Sequence, residues 1–139
     1  MSTIIAAFHS QAAPSWRNNP SYQAYQTLHL CFTVAPILAG IDKFFHLLCN
    51  WDQYLAPWIS SISPIGGHSL MLLAGAIEVA AGMLVAFRPR LGAPVVEAWL
   101  CLIIFNLLTI GSYFDVALRD LGLALGAFAL WRLAHEFAL

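Results

Sequence analysis

The sequence is short of charge. Only 9% of its 139 residues are Asp, Glu, Lys or Arg, whereas 60% are hydrophobic. A soluble domain carries about 25% charged residues, so this composition is typical of a membrane protein in a lipid bilayer. The formal net charge of -1 provides no basic surface for the phosphates of a nucleic acid, and we expect no nucleic-acid partner.

Motifs for catalysis or metal binding are also missing. Cys31, Cys49 and Cys101 form no C-x-x-C pair, and each lies in or beside an apolar run, which is typical of small apolar residues. The sequence has no glycine-rich phosphate loop and no H-E-x-x-H. His46 and His68 match no recognised ligand spacing, so no metal site is predicted. These absences do not favour an autonomous enzyme.

What is present is a set of long apolar runs. A helix needs roughly 20 apolar residues to cross a bilayer, and four runs reach about that length: 26–48, 67–87, 91–110 and 114–133. Segment 50–65 is interrupted by proline and is rich in Trp, a residue that prefers the headgroup level. We therefore predict an all-α integral membrane four-helix bundle, with a short interfacial helix between spans 1 and 2.

The basic residues outside the spans predict an orientation. Residues 1–25 are polar and are predicted to form a cytoplasmic N-terminal arm, ahead of the membrane domain. If four spans alternate in direction, Arg17, Arg88, Arg90 and Arg132 all lie on one side. The positive-inside rule then predicts that both termini are cytoplasmic.

Charged residues inside the spans are costly and mark either a structural lock or a functional site. At a rise of roughly 1.5 Å per residue, Asp42 and Lys43 lie roughly 8 to 9 Å below the outer boundary. Arg119 and Asp120 come out at the same depth on span 4. We predict a structural ion network between these two pairs. Asp115 is also predicted to take part, because it lies four residues before Arg119 on one helix face.

Glycine spacing indicates which helix faces pack together. Gly75 and Gly82 share a face of span 2 with Glu78, which predicts that this carboxylate points into the bundle. In span 4, Gly122 and Gly126 form a G-x-x-x-G motif and predict a second packing face.

A second interpretation of the membrane charges stays open beside the structural lock. Glu78, His46 and Asp42 are candidate proton-exchanging groups of a polar pocket that opens outward and holds a quinone or another small molecule. His46 follows Asp42 by four residues and so shares its face of span 1.

Four segments carry a family resemblance: AGIDKFF at 39–45, W-x-x-Y-L at 51–55, GAIEVAAGMLV at 75–85 and FDVALRDLGLALGAFAL at 114–130. In order and spacing they resemble the DoxX-like family of small four-span bacterial membrane proteins. The resemblance implies a four-helix membrane bundle in a bacterial inner membrane. It also implies an association with quinol-linked or thiosulfate-oxidising systems.

The expected function is therefore that of an accessory or quinone-proximal subunit of a redox or respiratory system. The alternative is a non-catalytic assembly or interaction protein whose charged cluster is structural. A small-molecule transporter is the third hypothesis, weakened by the lack of an evident inverted repeat. Other membrane redox subunits and a second copy of the chain are left open as partners.

Overall fold

The computed structural model describes residues 18–139, which are helical throughout apart from short connections, with no strand in that range. Residues 1–17 of the predicted arm lie outside the described residues. We name the helices α1 (Pro20–Phe45), α2 (Pro57–Ile62), α3 (Gly67–Phe87), α4 (Pro89–Ile110) and α5 (Phe114–Phe137), and a short 3-10 helix, Trp51–Tyr54, lies between α1 and α2.

Helix α1 begins earlier than the apolar run suggests. The Asn19 side chain accepts a hydrogen bond from the Ser21 backbone N–H at 2.9 Å, and Pro20 occupies the first helical turn. Both features favour a helix start, so residues 20–25 of the predicted arm lie within this helix. The helix also stops at Phe45, short of the predicted residue 48, because His46 adopts a left-handed backbone with a φ of 54°.

Three of the helices are long and apolar enough to cross a membrane. They are α1, α3 and α4. Helix α5 matches the fourth predicted run in position, but it is not among them. Acidic and basic residues occupy both its first turns and its last: Asp115, Arg119, Asp120, Arg132 and Glu136. The structure therefore supports a membrane protein in which three helices are long and apolar enough to span the bilayer.

The four long helices form two closely packed pairs. Helix α1 packs most extensively on α3, and α4 on α5, while the pairs meet where α3 touches α4 and α1 touches α5. The α1–α3 contact is close because two glycines face each other. A Cβ placed on Gly40 would lie 2.5 Å from the Gly75 carbonyl oxygen, and one on Gly75 would lie 2.6 Å from the Gly40 oxygen.

Small residues also pack α5, but of the G-x-x-x-G motif only Gly126 is among them. Its buried face carries alanine at four positions, Ala117, Ala124, Ala127 and Ala134. A Cβ on Gly122 would meet no atom within 4 Å, and one on Gly126 would meet the Phe32 ring. The prediction that Gly122 packs against a neighbouring helix is therefore wrong for this chain. The alanines follow helical periodicity just as well and form the contact instead.

The connection between α1 and α3 contains two short helices where one was predicted. Polar side chains of α4 hold it in place. Asn106 accepts a hydrogen bond from the Ala56 N–H at 2.9 Å and donates one to the Tyr54 carbonyl at 2.6 Å. The Trp58 indole donates to the Thr109 hydroxyl at 3.0 Å. The connection therefore lies across the end of the bundle, over the space between the helix pairs.

Candidate functional site

A cavity of about 690 Å³ lies among the four long helices and the connection above them. Trp51 and Trp58 border it at the connection, and Phe32 and Ala81 border it deeper in the bundle. Most of its lining is apolar. The polar groups on its wall include Lys43, Glu78, Asn106, Arg119 and Asp120.

The main polar feature of this cavity is a buried ion pair between α1 and α3. Lys43 Nζ lies 2.6 Å from Glu78 Oε2, and both side chains are at least 90% buried. The other carboxylate oxygen, Oε1, accepts a hydrogen bond from the Trp99 indole at 3.2 Å. As predicted, Glu78 points into the bundle together with Gly75 and Gly82. Its partner is Lys43, whose side chain leans back toward the start of α1 and so reaches deeper than its own Cα.

Trp51 covers the ammonium group of Lys43. The Nζ atom lies 3.9 Å from the centre of the indole ring, which is the geometry of a cation–π contact. The indole N–H of Trp51 in turn donates to Asp42 Oδ2 at 2.7 Å. Asp42, Trp51, Lys43, Glu78 and Trp99 therefore form one connected polar chain, which runs from the end of α1 into the middle of α4.

Asp42 has a capping role at the end of α1. Its Oδ1 accepts hydrogen bonds from the backbone N–H groups of Leu47 and Leu48 at 2.9 and 3.2 Å. These donors have no helical partner because the chain turns at His46. Asp42 is buried but does not line the cavity. It therefore holds the loop that presents Trp51. The prediction placed it on the wall of a ligand pocket, whereas the structure places it outside the cavity lining.

The predicted ion network between Asp42–Lys43 and Arg119–Asp120 is not formed. Arg119 donates to Asp120 Oδ1 from Nε and Nη2, at 3.1 and 3.0 Å, and among residues 18–139 neither pair makes an ion pair with the other. Asp115 is exposed and forms no ion pair in the same range. The prediction rested on the equal depth of the two pairs in the membrane. Equal depth does not determine the direction in which each side chain points around its helix axis. The cavity lies between the two sets.

His46 lies away from the cavity, at the start of the connection. Its ring stacks on that of His68 with centroids 5.9 Å apart. His68 Nδ1 lies 2.8 Å from Asp52 Oδ2, and a ligand atom of each of His46, Asp52 and His68 lies within 4.8 Å of the others. The structure thus separates His46 from Glu78, with which it was predicted to share a pocket, and joins it to an acid that the sequence did not single out.

Sequence reasoning missed the two tryptophans of the polar chain. Trp51 reads as a headgroup anchor, because tryptophan is common at the membrane interface. The position of Trp99 could have been used for a prediction, since this residue lies at the middle of α4, far from either interface. A buried indole N–H usually has a hydrogen-bond partner, so a mid-span tryptophan predicts a buried acceptor such as Glu78.

Family and fold comparisons supply no further assignment of this site. Comparison with protein-family models, curated proteins and solved structures finds no match to the chain. The DoxX-like resemblance therefore stays a prediction.

Proposed function

We propose that this chain is a DoxX-like inner-membrane protein that binds a quinone in its cavity, as an accessory or quinone-proximal subunit of a redox system. The observation that carries the proposal is the apolar cavity of about 690 Å³ with the Lys43–Glu78 pair on its wall. Ligand pockets have volumes of about 300 to 1,000 Å³ and combine apolar walls with a few fixed polar groups.

The chemistry of a quinone fits this lining. Its ring is flat, its two carbonyl oxygens accept hydrogen bonds, and its tail is apolar. An ammonium group has three N–H donors, and Lys43 gives one to Glu78, which leaves donors for a carbonyl. Trp51 and Trp99 offer aromatic surfaces beside this donor, and the apolar wall toward Phe32 can take the tail.

We also propose that α5 is a fourth span and that both termini are cytoplasmic. At 24 residues the helix is about 36 Å long, enough to cross a bilayer. Its buried acid Asp120 is paired by Arg119, which reduces the cost of placing either in a membrane. Asp115 lies in the first turn and Glu136 near the last residue, where side chains can reach the interface.

A non-catalytic assembly protein is the second candidate, and one observation favours it. The buried charges are satisfied within the chain, Lys43 by Glu78 and Trp51, and Asp42 by backbone N–H groups. A buried ion pair can fix which helices touch without taking part in any reaction.

The test is to fill the cavity and measure quinone binding. Ala74 lines the cavity, whereas Ala76 on the same helix is exposed and does not. The purified protein in nanodiscs is titrated with a short-chain ubiquinone analogue, with quenching of tryptophan fluorescence as the signal. We expect Ala74→Leu to weaken binding by at least about tenfold, or about 1.4 kcal/mol, and Ala76→Leu to leave it unchanged.

Two results contradict the quinone proposal. One is the absence of saturable quenching by the wild-type protein. The other is an equal affinity of the Ala74→Leu and Ala76→Leu variants while both melt like the wild type. Either result would favour the assembly protein.

A further inference from the structure

His46, Asp52 and His68 form a cluster outside the cavity that could hold a metal ion. The three residues come from three different elements: the residue that ends α1, the 3-10 helix and the first turn of α3. One ligand atom of each lies within 4.8 Å of the other two. In a tetrahedral zinc site the ligand atoms are roughly 3.3 to 3.6 Å apart, since each bond is about 2.0 to 2.2 Å. Small side-chain rotations therefore suffice to close the site.

Two atoms of this cluster are buried without a hydrogen-bond partner. They are Nδ1 of His46 and Oδ1 of Asp52, and they are the two such side-chain atoms among residues 18–139. Buried polar atoms are nearly always paired, because an unpaired one loses its hydration with nothing in return. One is an imidazole nitrogen and the other a carboxylate oxygen. A single cation bound between them would satisfy both.

The backbone holds the first ligand in an uncommon conformation. His46 has a φ of 54°, in the left-handed region that non-glycine residues seldom adopt. The hydrogen bond from its N–H to the Asp42 carbonyl, at 2.6 Å, holds the backbone of this residue at the end of α1. The ring of His68 is stacked beside it, with an angle of 25° between the planes. The two imidazoles therefore lie side by side, and His68 Nδ1 lies 2.8 Å from Asp52 Oδ2.

We propose that His46, Asp52 and His68 bind a Zn²⁺ ion at the outer end of the bundle. Two imidazoles and one carboxylate form a ligand set that suits Zn²⁺, whereas Ca²⁺ and Mg²⁺ prefer oxygen ligands alone. Three protein ligands leave a fourth position for water. The His68 side chain is 59% exposed, so the ion can enter from solvent.

Zinc at this position ties together the parts that close the cavity. It links the end of α1 to the start of α3 and to the 3-10 helix that carries Trp51. Because Asp52 follows Trp51 directly, the ion restrains the residue that covers Lys43. Binding of the ion itself does not depend on what occupies the cavity.

The test measures zinc binding by the full chain, purified in detergent with a tag that contains no histidine. A chromophoric chelator competes for added Zn²⁺, and Co²⁺ replaces it to report tetrahedral coordination by visible absorption. We expect one ion per chain. We also expect His68→Gln and Asp52→Asn each to weaken binding by at least about tenfold. His135→Gln is the matched control, because its ring lies at the other end of the bundle and bonds to the Trp131 carbonyl.

The melting temperature separates loss of the site from loss of the fold. We expect zinc to raise the melting temperature of the wild type and of His135→Gln, and to leave that of His68→Gln unchanged. The metal-free variants should melt like the metal-free wild type. Wild-type protein with no saturable binding overturns the proposal. So does His68→Gln protein that binds zinc as tightly as the control.

Discussion

Lys43 and Glu78 form an ion pair of 2.6 Å between α1 and α3, and each is the other's counter-ion in a buried setting. The pair joins the two most closely packed helices. It also supplies the polar wall of the cavity, so its energetic and functional roles can be separated only by changing one charge at a time.

The first prediction concerns this pair. Removal of one buried partner commonly costs about 3 to 5 kcal/mol, because the other charge stays buried without compensation. We expect Glu78→Gln and Lys43→Met each to lower the stability toward denaturant, and the double variant to recover most of the loss. The amide introduced by Glu78→Gln keeps an acceptor for the Trp99 indole, so the comparison isolates the charge.

Asp115→Asn is the control for that prediction. Asp115 is exposed and forms no ion pair among residues 18–139, and its change should stay within about 0.5 kcal/mol. Single variants as stable as the Asp115→Asn protein would show that the pair contributes nothing to the fold.

The second prediction concerns the glycine contact between α1 and α3. A methyl group on Gly75 would lie 2.6 Å from the Gly40 carbonyl oxygen, so Gly75→Ala must push the helices apart. We expect a loss of about 1 to 3 kcal/mol, measured by thermal unfolding in detergent. Gly122→Ala is the matched control. It has open space and should be neutral or gain up to about 1 kcal/mol from helix propensity. A larger loss of stability for Gly122→Ala than for Gly75→Ala would contradict this packing of α1 on α3.

The third prediction concerns the pH dependence of Cys49, which lies in the connection after α1. Burial raises the pKa of its thiol, and so does the negative charge of Asp42, while Lys43 and Arg119 act in the opposite direction. The net shift is upward, so the folded protein holds the thiol proton to higher pH than the unfolded chain does. The associated stability is present below the unfolded pKa and is lost as the pH rises through the folded pKa.

Alkylation rates test this shift, because the thiolate is the reacting form. We expect the pH midpoint of Cys49 alkylation, followed by mass spectrometry, to lie higher in the folded protein than in the denatured chain. A midpoint at or below that of the denatured chain contradicts the prediction.

The fourth prediction concerns orientation in the membrane. A variant without native cysteines carries one cysteine, either at Ser61 on α2 or at Leu91 in the first turn of α4; both positions are exposed. If both termini are cytoplasmic, an impermeant thiol reagent on intact cells should label position 61 and not position 91. Labelling of position 91 alone would reverse the proposed topology.

The sequence by itself determined the helical, membrane-type architecture. Long apolar runs have few ways to satisfy their backbone hydrogen bonds in lipid, and the helix is the simplest of them. The face of α3 that carries Gly75, Glu78 and Gly82 was also predictable, because residues three and seven apart in a helix point the same way. The ends of α1 differ from the predicted span 26–48, because local caps at Asn19 and His46 decide where the helix begins and ends.

Only the tertiary structure decided which charges meet. Depth along a helix follows from residue counting, but the direction of a side chain around the axis depends on how the helices pair. For that reason Lys43 contacts Glu78, and Arg119 contacts its own neighbour Asp120. The approach of His46, Asp52 and His68 depends in the same way on the turn after α1 and on the fold of the connection. The Lys43–Glu78 and His68–Asp52 contacts join residues 35 and 16 apart in sequence, and they leave no periodic signal along the chain.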